Sequence, residues 1–202
     1  MQVLPAHEAP WDDVVTVFGT RGDAAHCWCQ WWKLSSAEYR AASDAERCEA
    51  LRVQASSSAT SPGVLAYRDG VPVGWCGVEP RPRLGRVARS RTLAATLAGQ
   101  DLADDGVWAV SCFVVPREHR GTGITRALLG GAVEVARAGG AHVVEAYPVD
   151  TQGRRVASAS LFHGPLSLFA DAGFEVVAWQ RPGRPVVRLR LVPEGAATSA
   201  TV

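Results

Sequence analysis

The chain has 202 residues, 47% of them hydrophobic, which is enough for one domain with a full core. Its 21 basic and 20 acidic side chains give a net charge of +1, so no global field favours nucleic acid or an anionic membrane. No apolar run approaches the ~20 residues that span a bilayer. The N-terminus lacks the basic start and apolar core of a secretory signal. We therefore expect a cytoplasmic protein that binds neither nucleic acid nor membrane.

The five cysteines are odd in number and scattered, at Cys27, Cys29, Cys48, Cys76 and Cys112. In a reducing compartment such thiols pack as small hydrophobic side chains. The run from His26 to Cys29 combines an imidazole with two thiols. Thiolate zinc sites, however, space their cysteines two to four residues apart and supply a second pair. Neither condition holds here, so we expect no metal site.

The first part of the chain is predicted to be helical. Apolar residues at helical spacing predict a helix over 8–19. Ser43 or Asp44 is able to cap a second helix that runs to about Gln54, and Glu46 is a candidate capping-box partner of Ser43. Between these helices, residues 21–34 hold three of the seven tryptophans.

Strands dominate the middle of the chain. The pair Asp69-Gly70 favours a hairpin turn between strands at 63–68 and 71–80. A connector over 81–105 starts with five arginines and is predicted to be helical from about residue 93. The run VWAVSCFVV that follows is continuously apolar, as in a strand buried on both faces.

The remaining segments complete an alternating order. A helix over 121–138, a strand over 141–147, a helix opened by Gly164-Pro165 and a closing hairpin follow each other. This order predicts one domain over 1–192, an α/β fold with a mixed central sheet of about six to seven strands and flanking helices. It divides into a helical region at 1–59 and a core at 60–192. The polar tail, 193–202, is expected to be disordered.

A glycine-rich turn follows the buried strand and opens the helix at 121. Gly121 and Gly123 allow a ligand to approach the backbone, and the N–H groups and dipole of the helix start favour an anion. Arg120 and Arg126 add positive charge, so the turn predicts a phosphate or pyrophosphate site. A plain strand-to-helix joint is the alternative. The dinucleotide pattern fails at Arg126, and no Gly-Lys-Ser/Thr of a Walker loop occurs.

The run Arg120-Gly121-Thr122-Gly123-Ile124-Thr125 resembles the signature of the GCN5-related N-acetyltransferase (GNAT) superfamily, Arg/Gln-x-x-Gly-x-Gly/Ala. The resemblance extends to Val114-x-Pro116 before the turn, to Ala127-Leu128-Leu129 after it, and to the later strand AHVVEAY. The segment LSLFADAGFEVV also resembles the Leu-Tyr-x-x-x-Gly-Phe segment of that family. Together these matches cover residues 60–192.

The resemblance implies a GNAT-like acyl-CoA N-acyltransferase fold with acetyl-CoA as acyl donor and no metal. Turn amides would hold the coenzyme A pyrophosphate, and the strand before the turn would pair with the pantetheine. A main-chain N–H of that strand would polarise the thioester carbonyl, and the acceptor amine would attack directly. The residues implied to bind the cofactor are Phe113, Val114, Val115, Arg120, Gly121, Thr122, Gly123, Ile124, Thr125 and Arg126.

The sequence departs from the family pattern in several places. Thr125 replaces the final Gly or Ala, and its hydroxyl is able to donate to phosphate. Phe169 stands where many members carry the tyrosine that protonates the leaving thiolate. Phe162 and Pro165 replace a frequent Asn and Ala. The strand VWAVSCFVV also lacks the acidic residue that often serves as base.

Three residues are candidates for proton transfer, which requires a group close to the amine or the sulfur. Glu145 and Tyr147 lie at the end of a strand beside the expected thioester, and His163 precedes the helix that carries Phe169. Each has a structural role as its alternative. An acyl-Cys112 intermediate is chemically possible but unusual for the family.

In this family the N-terminal helical region, here 1–59, usually supplies the acceptor lid. Trp28, Trp31 and Trp32 are candidates to bind an aromatic or cationic acceptor, with core packing as the alternative. Glu79 is a candidate for the ammonium group. The arginines over 81–91 form either a solvated face or a site for an acidic acceptor.

The function expected from the resemblance is acetyl transfer from acetyl-CoA to a primary amine of a small molecule. Acetylation of protein lysines or N-termini uses the same chemistry and is the first alternative. A non-catalytic acyl-CoA-binding module is the second. The sequence leaves the acceptor, the acyl chain length and the oligomeric state, monomer or homodimer, open.

Overall fold

Seven strands form one mixed sheet in the order β1-β2-β3-β4-β5-β7-β6. The structure is a computed structural model that describes residues 1–56, 60–154, 156 and 161–191, so the predicted polar tail lies outside the described residues. The strands are β1 (Gln2–Pro5), β2 (Gly63–Arg68), β3 (Val71–Pro80), β4 (Val107–Val114), β5 (Val143–Ala146), β6 (Glu175–Arg181) and β7 (Arg184–Arg190). The β4–β5 pairing is parallel and the others are antiparallel. The predicted mixed sheet with flanking helices is confirmed.

The helices are α1 (Trp11–Phe18), α2 (Asp23–Cys27), α3 (Ser36–Ala41), α4 (Asp44–Ala55), α5 (Gly85–Arg89), α6 (Arg91–Thr96), α7 (Ile124–Ala138) and α8 (Leu166–Asp171). Short 3-10 turns cover Gln30–Trp32, Arg81–Arg83 and Arg117–His119. The predicted capping box of α4 is present, because the Ser43 hydroxyl accepts from the Glu46 N–H and the Glu46 carboxylate accepts from the Ser43 N–H. No helix in the described part of the chain is both long and apolar enough to cross a membrane.

The sheet is covered on both faces because side chains alternate along its strands. On one face, Trp108 and Val110 of β4 pack with Leu128 of α7 in a large core cluster. On the other face, Ala109 belongs to a separate cluster that includes Val87 of α5. Helices α1, α2 and α4 cover the β1–β3 end of that second face. The predicted acceptor-side region and the α7 turn are therefore associated with opposite faces of the sheet.

Candidate active site

Strands β4 and β5 are paired over only part of their length and separate in the middle of the sheet. Their parallel ladder runs from Val107–Val143 to Val110–Ala146, where β5 ends while β4 continues. Next to the last pair, β4 bulges: Gly77 of β3 pairs with Cys112 and Val78 pairs with Val110, so Ser111 is the extra residue. Beyond Val110, no described strand pairs with the β5-facing edge of β4.

The glycine turn at the start of α7 is open to a ligand. Gly121 and Gly123 have φ values of 74° and 82°, in the left-handed region that favours glycine. Both are exposed, and no described atom lies within 4 Å of a Cβ built on either of them. Gly123 is the N-cap and no described side-chain hydrogen bond caps the helix, so the first-turn N–H groups remain able to donate to another acceptor. These features fit an anionic diphosphate.

The charged side chains around the turn are partly committed to protein contacts. Arg126 forms an exposed ion pair with Asp171 at 3.0 Å, and Arg120 Nε donates to the Val115 carbonyl at 2.9 Å. Arg68 Nη2 donates to the Thr122 carbonyl at 2.9 Å, which ties the turn to β2. Sequence reasoning missed Arg68, since nothing in the β2 sequence points to a loop 54 residues away. These three arginines already contact other protein groups. The backbone N–H groups of the turn are therefore the donors that are most available to a ligand.

The chain itself covers part of the β4 edge. The N–H of Phe113 donates to the Phe162 carbonyl at 2.7 Å. His163 Nδ1 lies 2.9 Å from the Ser111 carbonyl, and because a carbonyl only accepts, Nδ1 carries the proton. The rings of Phe162 and His163 are 3.8 Å apart. One of the main-chain N–H groups of the strand that the resemblance offers to the thioester carbonyl, that of Phe113, is therefore already hydrogen-bonded, which the sequence did not indicate.

His163 is neutral at pH 7. Burial lowers its pKa from 6.5 to about 4, although the hydrogen bond to Ser111 opposes that shift. Its one remaining ring proton is held on Nδ1 by the Ser111 carbonyl, and Nε2 carries a lone pair. The predicted role of proton donor thus needs correction, because this imidazole has no proton to give from Nε2.

Glu145 and Tyr147 form a buried charge network. Glu145 is 0% exposed and accepts from Arg188 Nε at 2.8 Å, from Arg81 Nη1 at 3.3 Å and from the Tyr147 hydroxyl at 2.6 Å. Burial and the Glu145 charge raise the pKa of Tyr147 well above its usual value. Arg81 and Arg188 both pair with the Glu145 carboxylate, and the Tyr147 hydroxyl donates its proton to the same carboxylate. Neither Glu145 nor Tyr147 therefore fits the predicted acid–base role. Both fit a structural one.

The predicted tryptophan pocket divides into two parts. Trp28 is 6% exposed and stacks on Phe18 with ring centroids 4.8 Å apart, so it is a core residue and the structure does not support its predicted acceptor role. Trp32 instead stacks on Tyr147 at 5.4 Å and meets the edge of His163 at 5.5 Å. The structure therefore brings Trp32, Tyr147 and His163 together beside the end of β4.

Two other acceptor candidates have different surroundings. Trp31 is 43% exposed, and the Arg86 guanidinium lies 3.7 Å above its ring. Glu79 is buried in an ion pair with Lys33 at 2.8 Å. Because Lys33 already neutralises the Glu79 carboxylate, the predicted ammonium-binding role of Glu79 is not supported. Trp31 remains at the surface, next to an arginine.

The cysteines contribute one close contact. Cys29 Sγ lies 2.9 Å from Cys112 Sγ on β4, and the Cys29 pKa is raised well above its usual value by this hydrogen bond and by burial. All five cysteines are free thiols. Within the described ranges, no group of three or more His, Cys, Asp or Glu side chains is placed to hold a metal ion.

A seven-stranded mixed sheet, with a glycine turn at a helix start beside a strand that separates from its parallel neighbour, is the arrangement of an acyl-CoA N-acyltransferase fold. The chain belongs to the GNAT acetyltransferase family: the sequence model described as "Acetyltransferase (GNAT) family" matches residues 27–162, more than half of the chain. No curated protein matches the sequence.

Solved structures with the same fold come from several bacteria. A ribosomal-protein-alanine N-acetyltransferase from Brucella melitensis has a TM-score of 0.55 and 19% identity, covering 95% of this chain and 100% of that one. YncA from Salmonella typhimurium, solved with its cofactor acetyl-CoA, has a TM-score of 0.53 and 19% identity, covering 100% and 99%. A GCN5-related N-acetyltransferase from Kribbella flavida has a TM-score of 0.53 and 18% identity, covering 94% and 97%. At these identities the likeness establishes the fold.

Proposed function

We propose that this protein transfers an acetyl group from acetyl-CoA to the primary amine of a small molecule. The observation that carries the proposal is the open glycine turn, with positive φ at Gly121 and Gly123 and no described atom within 4 Å of a Cβ at either position. Membership in the GNAT family and the separation of β4 from β5 support it.

The donor site is assigned to backbone groups. In acetyl-CoA the thioester supplies an activated acetyl group and a thiolate leaving group. The N–H groups of residues 121–126 would bind the diphosphate, and β4 from Phe113 to Val115 would pair with the extended arm. The Phe113 N–H would stabilise negative charge on the acyl oxygen. It becomes available when the Phe162 carbonyl releases it, so the segment at 162–163 has to move.

Positioning and backbone polarisation supply most of the catalysis in this proposal. A thiol with a pKa of ~8.5 leaves readily as a thiolate, so an acid is dispensable. We assign His163 the opposite role from the one its sequence position suggested: its unprotonated Nε2 accepts a proton from the amine nitrogen after attack, when that nitrogen becomes acidic. Tyr147 and Glu145 hold Trp32 and β7 in place.

A non-catalytic acyl-CoA-binding module is the second candidate. It is favoured by the hydrogen bond between the Phe113 N–H and the Phe162 carbonyl, which blocks the oxyanion-type donor in the ligand-free chain. It is also favoured by the commitment of the Tyr147 proton to Glu145.

Thiol release distinguishes the candidates. The protein is mixed with acetyl-CoA and either a panel of small primary amines or a panel of lysine and N-terminal peptides, and free coenzyme A is measured. Turnover with small amines is the expected result. Turnover confined to peptides would replace the small-molecule acceptor with a protein acceptor. Calorimetric binding of acetyl-CoA without turnover in either panel would establish the binding module instead.

A further inference from the structure

A polar groove lies on the face of the sheet opposite α7, between the Gln30–Trp32 turn, α5 and β6. Its walls include Trp31, Trp32, Ser36, Arg86, Arg89 and Gln180. Two of these residues are arginines and none of the six is acidic, so the groove offers mainly hydrogen-bond donors and positive charge. We call it the arginine groove.

Neither arginine of the groove forms an ion pair with a described residue. Arg86 stacks on Trp31, donates to the Trp31 carbonyl through Nε and to the Ser36 hydroxyl through Nη1 at 3.1 Å. Arg89 Nη2 donates to the Lys33 carbonyl at 2.8 Å. The nearby carboxylate of Glu38 is committed to the α3 capping box. The Arg89 charge interacts with Glu38 at a distance, but both guanidinium groups are held by carbonyls and a hydroxyl rather than by a direct ion pair.

Two further donors in the walls of the groove lack an acceptor. Arg86 Nη2 and Trp32 Nε1 are buried, and no described group accepts a hydrogen bond from either of them. An unsatisfied buried donor destabilises the folded chain. A ligand oxygen in the groove would satisfy either donor only if that side chain turned toward it, and Arg86 and Trp32 both line the groove. The donors of the arginine groove therefore favour a ligand that is anionic and accepts hydrogen bonds.

The groove is connected to the proposed reaction site by one side chain. Trp32 lines the groove and also contacts Tyr147 and His163. His163 is hydrogen-bonded to the Ser111 carbonyl on the free edge of β4. A ligand whose anion lies beside Arg86 and Arg89, and whose other end passes Trp32, would therefore approach the β4 edge to which acyl transfer is assigned.

We propose that the acceptor is a primary amine that also carries a carboxylate, and that Arg86 and Arg89 bind this carboxylate. The planar fork of a guanidinium matches a carboxylate in a bidentate hydrogen bond, which gives direction as well as affinity. The inference rests on the proposed acetyl transfer, because the amine end is assigned to the β4 edge. It sets the substrate class of the same site.

The test compares matched amines that differ in the carboxylate. A series of ω-amino carboxylates, with 4-aminobutanoate as one member, is assayed against the alkylamines of equal chain length, and α-amino acids against their amides. The expected result is a kcat/KM at least ~10-fold higher for the carboxylate members. Arg89→Gln should remove this preference while the KM for acetyl-CoA stays unchanged. Arg83→Gln, which alters an exposed arginine outside the groove, should keep the preference.

A second readout is independent of acetyl transfer. Binding of glutarate, a dicarboxylate without an amine, is followed by the fluorescence of the tryptophans, two of which line the groove. Saturable quenching that is lost in Arg89→Gln but kept in Arg83→Gln is expected. Thermal unfolding of both variants verifies that they are folded, and Arg89→Lys should retain part of the binding because it keeps the charge without the fork.

The outcomes separate the two proposals. If the protein shows no turnover with any amine but binds glutarate through Arg89, the arginine groove stands and the acetyl-transfer proposal fails. Equal kcat/KM for matched amines with and without the carboxylate would refute the acceptor class while leaving acetyl transfer intact. A preference for phosphate-bearing over carboxylate-bearing amines would also overturn the proposal as stated.

Discussion

Replacing His163 by alanine tests whether the segment at Phe162 and His163 competes with coenzyme A for the edge of β4. The change removes the hydrogen bond from Nδ1 to the Ser111 carbonyl and the ring contacts with Trp32 and Phe162. Such a hydrogen bond contributes ~0.5–1.5 kcal/mol and each aromatic contact ~0.5–1.5 kcal/mol. If these contacts hold the Phe162 carbonyl on the Phe113 N–H, the open state becomes more populated. Coenzyme A should then bind ~10-fold more tightly.

Isothermal calorimetry with coenzyme A measures this directly, with His142→Ala as control. His142 is an exposed histidine that pairs with Asp104 at 3.4 Å, away from the β4 edge. Unchanged or weaker binding by His163→Ala would refute the competition. In the same variant, kcat should fall ~10²-fold if Nε2 is the proton acceptor. A normal kcat would leave catalysis to positioning and backbone polarisation alone.

The same segment should respond to acid. The pKa of His163 is lowered to about 4 from an ordinary value of 6.5, so the folded contacts favour the neutral ring. Their stabilisation is complete above pH ~6.5 and is lost as the pH falls toward 4. Opening at low pH should quench or shift the Trp32 fluorescence over this range, and the change should be absent in His163→Ala.

The remaining predictions concern the turn, the charge network and the tryptophans. Gly123→Asp should weaken coenzyme A binding ~100-fold by calorimetry, through left-handed strain and added negative charge, while Gly130→Asp at an exposed open position of α7 should not. Glu145→Gln should lower the free energy of unfolding in urea by ~3–5 kcal/mol, because it leaves buried arginine charges unpaired; unchanged stability would contradict the structural role. Trp28→Ala should cost ~3–5 kcal/mol of stability, whereas Trp31→Ala should leave stability nearly unchanged and raise the KM of the acceptor.

Local sequence signals predicted much of the fold. The Asp69-Gly70 turn places both residues at positive φ, and the two flanking strands begin and end where the sequence indicated. The strand over 107–114 is buried as its apolar run predicts. β1 was missed because four residues that end in proline carry little strand signal, and only pairing with β2 makes them a strand.

The part of the site that is formed by the backbone could be predicted from the sequence. The part that depends on contacts between side chains distant in sequence could not. The glycines of the turn are visible in sequence because positive φ demands glycine. The ion pairs of Glu145 depend on Arg81 and Arg188, which lie 64 and 43 residues away, so no local pattern reveals that the carboxylate is neutralised. The Phe162 carbonyl could not be found either, since any residue has one.

The contact between Phe162 and β4 also bears on how the free edge of β4 is protected from pairing with other chains. Strand edges with unpaired N–H and C=O groups are templates for pairing with other chains, and proteins usually cover or interrupt them. The separation of β4 from β5 creates such an edge in the middle of the sheet. By donating its N–H to the Phe162 carbonyl, Phe113 satisfies one donor of that edge within the chain. If this edge accepts one extended ligand, as we propose, the same contact also hinders its pairing with another chain.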